Sequence, residues 1–180
     1  ESTWVNNVFK LHIPDMSGFN KIVSYSQYTK YKTCPRSWYI RYVQKVKDEE
    51  SSIILVYGNA MHTLIQYWLK LLFTKGEKFT KELNWADNFK SILKEEYLKE
   101  FNKTGVHFSN PNELMSYFSD GFEAFSYLMK NRSKYFSLRD MQLIGIELPV
   151  YLSLDPKNEN VKFSAFLDLV FYDKSDKTYL

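Results

Sequence analysis

His62 lies in the stretch "YGNAMHTLIQYW", residues 57–68, where an aliphatic side chain would pack more cheaply. With Leu64, Ile65, Trp68 and Leu69 beside it, the pattern predicts a helix that little water reaches. An imidazole in such a place needs a partner for each ring nitrogen: a carbonyl, a carboxylate or a metal ion. Two acids raise a matching question in strand-like segments. Asp168 stands between Leu167 and Leu169 in "VKFSAFLDLVF", and Glu147 between Ile146 and Leu148 in "LIGIELPVYL". Aspartate disfavours strands and a lone buried carboxylate is expensive, so each acid is expected to face a cation. A salt bridge to lysine or a place at a sheet edge is the plainer alternative for either one. One imidazole and one or two carboxylates on rigid elements make a hard-cation site, which suits Mg²⁺ or Mn²⁺ better than structural zinc.

The elements that must carry these residues follow from periodicity and punctuation. Residues 1–23 read as irregular or strand-like. Ser24 or Ser26 can cap a helix through "YSQYTKYKT", which Pro35 must interrupt. "PRSWYIRYV" then forms a second short helix with Trp38, Ile40, Tyr42 and Val43 near the core. "KDEESS" at 47–52 is a charged connection. Three longer helices are expected: about 58–73, ending near Gly76; about 79–101; and one starting after Asn110-Pro111. Apolar residues recur on each at spacings of three and four, which marks core faces. After Asp140 the pattern turns to strands, with "DPKNEN" and "DKSDK" as turns and "TYL" as the opening of a third strand.

The chain has 180 residues, 44% of them hydrophobic, with 14 Tyr and 14 Phe. That is enough to form a sizeable core and too apolar for disorder. No apolar run approaches the roughly 18 residues of a membrane span, and "ESTWVNNVFK" does not resemble a signal peptide. The single cysteine, Cys34, excludes a disulfide within the chain, and a reducing cytoplasm is the expected location. Residues 1–47 hold eight Lys/Arg against two acidic residues, whereas the net charge of the whole chain is only +3. Such a basic, tyrosine-rich segment could follow a phosphate backbone and stack on bases. Alternatively it is a solvated helix face whose tyrosines pack inward.

In this order, the pieces resemble the PD-(D/E)XK nuclease superfamily, and within it the RecB-like and AddB-like branch, which includes CRISPR-associated and phage exonucleases. The resemblance begins at "SYSQYTKYKTCPRSWYIRYV", continues at "YGNAMHTLI", and returns at "GIELPVYL" and "FSAFLDLVFYD". It implies an α/β (α+β) fold with a restriction-endonuclease-like core, N-terminal helices leading into an antiparallel β meander. One domain is expected over 1–180, with a basic segment at 1–57, a helical region at 58–140 and core strands at 141–180.

The resemblance further implies that His62 and Asp168 ligate Mg²⁺ or Mn²⁺ and that Glu147 supports the site. Gly58 would let the helix of His62 approach the sheet closely. Arg36, Arg41, Lys32 and Ser26 are candidates for contact with DNA. Where the family has a glycine three residues before the strand aspartate, this chain has Ala165. The family's acid-x-lysine triplet would fall just after "KTYL", so a second chain or further segment is expected to supply it, and these 180 residues alone are expected to be inactive.

Relatives that hold an iron–sulfur cluster use the Cys-Pro cysteine with three more, so no such cluster is expected here, and Cys34 reads as a buried thiol. His12 and His107 read as structural. The implied function is a metal-dependent DNA exonuclease of recombination, repair or phage replication, in the cytoplasm or, if phage-encoded, in that of the host. The rival readings are a non-cleaving nucleic-acid-binding module and a helical interaction domain.

Overall fold

A computed structural model describes residues 21–46, 52–153 and 161–180. The expectations for residues 1–20 (His12 among them), for most of "KDEESS" and for "DPKNEN" therefore lie outside the described residues. The chain divides into two compact units: a sheet unit from residues 1–49 with 143–180, and a helical unit from 50–142.

In the sheet unit, β1 (Lys21–Ser24) leads directly into α1 (Tyr25–Thr33). The Ser24 hydroxyl caps α1 by accepting from the Gln27 amide at 3.2 Å. The helix stops at Cys34, which is extended (φ −156°, ψ 101°), because the residue before a proline is driven out of the helical region. Pro35 then opens α2 (Pro35–Trp38), which runs into a π-helical turn over Tyr39–Val43. Such widened turns are uncommon and concentrate at functional places. Trp38, Ile40 and Tyr42 are half-buried as expected, but Val43 is exposed.

Three further strands complete the sheet: β2 (Met141–Ser153), β3 (Val161–Asp173) and β4 (Thr178–Tyr179). The order is β1-β3-β2, with β4 pairing β3. β1 runs parallel to β3, Ser24 opposite Ser164, whereas β4 is antiparallel to β3, Tyr179 opposite Tyr172. The sheet is thus mixed, not a purely antiparallel meander. A parallel partner needs a long crossover, and here the intervening chain includes the whole helical unit. The "DKSDK" turn forms as expected. Asp173 Oδ1 accepts from the Ser175 amide at 2.8 Å and from the Ser175 hydroxyl at 2.5 Å, which holds its carboxyl below the usual aspartate range.

The helical unit contains α3 (Ile53–Lys75), α4 (Glu77–Lys81), α5 (Trp85–Thr104), α6 (Pro111–Lys130) and α7 (Arg132–Tyr135). α3 starts five residues earlier than the pattern suggests, because Ser52 caps it through the Ile54 amide at 3.2 Å. The single helix expected over 79–101 is two. Asn84 accepts from the Asp87 amide at 3.2 Å and so begins α5 afresh, a local bond that competes with continuing α4. Buried Val56, Ala60, Leu64, Trp68 and Leu72 form the inner stripe of α3. Phe125 of α6 is fully buried edge-on to Trp68 (5.8 Å) and Trp85 (5.5 Å), and Phe89 stacks on Phe118 at 5.4 Å.

Two glycines invite opposite substitutions. A Cβ at Gly121 would lie 2.8 Å from both the Phe89 and Tyr57 rings and 2.9 Å from the Met61 sulfur. A Cβ at Gly58 would meet nothing within 4 Å. The close-approach role expected of Gly58 therefore has no support among the described residues, and Gly121 is the position where α6 meets α3 and α5 too closely for a side chain. Gly121→Ala is expected to destabilise the unit by about 1–2 kcal/mol through overpacking. Gly58→Ala should stabilise it by roughly 0.5–1 kcal/mol through helix propensity. Urea melts of the two variants check both signs.

Glu77 ties α4 to α7: its carboxylate meets Arg132 Nη2 at 2.5 Å and Lys81 Nζ at 2.8 Å. The Lys81 hydrogen bond, then the Arg132 charge, hold the Glu77 carboxyl below its ordinary value of 4.5. A depressed carboxyl pKa adds stability that is present above pH 4.5 and is lost as the pH falls through the folded-state value. Glu77 is partly exposed, so the amount is a few tenths of a kcal/mol after solvent screening. Urea midpoints of wild type and Glu77→Gln should differ near pH 7 and converge in acid.

Candidate metal centre and nucleic-acid interface

β2 presents Glu147 in an unusual way. Its φ is +52°, a left-handed conformation that a non-glycine residue seldom adopts inside a strand. The break shows in the burial along β2: Leu143 and Gly145 are buried in alternation, and then Ile146, on the other parity, is buried as well. Glu147 is thereby turned out of the regular pleat. Nothing in the residue types announced this.

β3 presents Asp168. Regular alternation would give that strand one inward and one outward face. Instead Phe166, Leu167 and Asp168 are exposed in succession, and Val170 and Phe171 are both buried. The aspartate is therefore exposed, not the buried acid that its apolar neighbours suggested. Carboxylate oxygens of Glu147 and Asp168 lie within 4.8 Å of each other. At that separation two carboxylates repel by about 1 kcal/mol even with water-like screening. A cation between them would convert the repulsion into binding.

α3 presents His62, which is also exposed despite its apolar neighbours in sequence. The buried stripe of α3 passes through Ala60 and Leu64, and His62 points away from it. One helical turn further on, Gln66 is buried and its side-chain nitrogen stands 3.0 Å from His62 Nε2. With the amide in the opposite orientation, the glutamine carbonyl accepts from Nε2–H and leaves the Nδ1 lone pair for an ion. Gln66 was missed by the sequence reading, although its i+4 spacing from His62 was a usable signal.

The proposed nucleic-acid contacts all fall on or near α1 and α2. Lys32, Arg36 and Arg41 are exposed; Lys32 Nζ sits 5.9 Å from the centre of the Tyr28 ring, and Arg41 Cζ is 5.9 Å from that of Tyr42. Ser26 is exposed and its hydroxyl bonds that of Ser24 at 2.9 Å. Cys34 is exposed, contrary to the buried thiol expected. His107 stacks on Phe101 at 4.5 Å, and its Nδ1 is 3.0 Å from the Tyr97 hydroxyl, a structural role as expected.

Among the described residues, a mixed four-stranded sheet with seven α-helices is consistent with a restriction-endonuclease-like fold. The sequence model of the PD-(D/E)XK nuclease superfamily matches residues 22–180, and the chain belongs to that superfamily. Its members are generally metal-dependent nucleases, and Glu147, Asp168 and His62 are donors of the kind that hold a divalent ion. No curated protein and no solved structure matches the chain. Among the described residues no helix is long and apolar enough to cross a membrane.

Proposed function

We propose that the protein is a divalent-metal-dependent DNA nuclease of the RecB-like branch, an exonuclease of recombination, repair or phage replication, in which His62, Glu147 and Asp168 hold the ion. The observation that carries this reading is a pair of carboxylates within 4.8 Å on two strands of the sheet, Asp168 exposed and Glu147 half-buried. Membership of the superfamily supports it, as does a donor set of two oxygens and one nitrogen, which suits Mg²⁺ or Mn²⁺. The ion, when bound, lowers the pKa of an attacking water and stabilises charge on the scissile phosphate. Asp168 and Glu147 supply the negative charge that fixes the ion's place, and Gln66 orients the His62 ring. Lys32, Arg36 and Arg41 hold the DNA backbone, with Ser26 beside them.

Two measurements on one preparation test the reading: calorimetric titration with Mn²⁺, and binding of a labelled DNA oligonucleotide with and without the metal. His62→Ala is expected to weaken Mn²⁺ binding about tenfold, by analogy with losses at other metal sites. Mn²⁺ affinity that is the same with and without His62 would remove the histidine from the site. DNA bound with no Mn²⁺ binding at all would favour a non-cleaving module on the same scaffold.

A further inference from the structure

α1, α2 and the π-turn that follows bury none of their residues. Along α1, Tyr25, Tyr28 and Tyr31 recur every three residues and are 62%, 49% and 53% exposed. Each stands about 4.5 Å further along the helix axis than the one before. Across residues 21–46 there are six Lys/Arg and no Asp or Glu. Trp38 meets Tyr31 edge-on at 5.4 Å and lies 6.4 Å from Tyr42, which keeps the two short helices together. The tyrosines therefore do not pack inward, as the plainer reading of this segment required.

Exposed rings gathered in one row, unlike single exposed residues, mark an interaction site. Flat rings at regular spacing, in a segment whose only charged residues are Lys and Arg, match a polyanion that carries flat apolar groups. We infer that α1 and the turn after it form a stacking platform for unpaired nucleotides, with Tyr25, Tyr28 and Tyr31 against the bases and Lys32, Arg36 and Arg41 against the phosphates. A duplex fits less well. Its bases are already stacked on one another and only its backbone meets the lysines and arginines, so the rings would gain nothing.

The platform lies close to the acids along the sheet. Ser24, the last residue before α1, is in register with Ser164 of β3, and Asp168 is four residues further on, about 13 Å along the strand. A single strand held on the tyrosines is within reach of Asp168. The inference rests on the reading of this chain as a protein that handles nucleic acid, and it narrows that substrate to its unpaired form.

The test measures binding of fluorescein-labelled dT20, rU20 and a 20-base-pair DNA duplex in EDTA, so that no metal site contributes. Wild type should bind dT20 more tightly than the duplex. It should bind rU20 as well as dT20, because stacking reads the base and not the sugar. Tyr25→Ala with Tyr28→Ala should weaken dT20 binding by roughly 30-fold or more, since one base–aromatic stack is worth about 1–3 kcal/mol. Duplex binding should change less than threefold, and the paired Tyr→Phe variant should retain wild-type affinity for dT20. Lys32→Ala should weaken both ligands.

Equal affinity for duplex and dT20, rejection of rU20 alone, or an alanine pair that binds dT20 like wild type would each overturn the platform. An unchanged far-UV spectrum and melting temperature separate these results from misfolding. These measurements are made in EDTA and the Mn²⁺ titration is made without DNA, so failure of the platform and failure of the metal site give different patterns.

Discussion

Asp168→Asn is expected to lower Mn²⁺ affinity at least a hundredfold, about 2.8 kcal/mol, with a far smaller effect on thermal stability. The side chain is exposed, so the amide leaves no cavity. The change also removes the repulsion from Glu147, whose carboxylate lies within 4.8 Å. Affinity for the metal should therefore fall far more than stability does. A structural salt bridge would behave in the opposite way, losing stability with its charge. Calorimetry with Mn²⁺ and a melting curve on the same variant decide the matter. An asparagine variant that melts early and still binds Mn²⁺ would make Asp168 a structural acid.

Glu147→Gly is the second large effect, and its two parts have opposite signs. The left-handed backbone at φ +52° costs a residue with a side chain about 1 kcal/mol, and glycine pays no such penalty. The variant should gain on the order of 1 kcal/mol of stability and lose Mn²⁺ affinity by tens of fold. Glu147→Gln should lose similar affinity and be less stable than the glycine variant, because it keeps the Cβ and hence the strain. Strained residues persist where the surrounding fold over-determines them, and they cluster at functional sites. A glycine variant that is less stable than wild type would show instead that contacts of the glutamate side chain hold this conformation. Urea melts of the two variants beside wild type provide the comparison.

Local signals in the chain were enough for much of the architecture. Ser24, Asn110 and Pro111 marked helix starts, Pro35 marked a break, and "DKSDK" marked the turn before β4, because each acts on backbone groups only a few residues away. Residue chemistry alone picked out His62, Glu147 and Asp168, since a histidine or an acid among apolar neighbours is conspicuous at any burial. Where those side chains point was decided elsewhere. A period of 3.6 or 2 divides an element into faces, but which face is covered depends on segments far away in sequence. Hence His62 and Asp168 are exposed despite their apolar neighbours, the tyrosines of α1 face outward, and Gly121 is the tight position instead of Gly58. The parallel pairing of β1 with β3 and the reversed backbone at Glu147 also arose only in the folded sheet, where strand register and not local propensity sets the geometry.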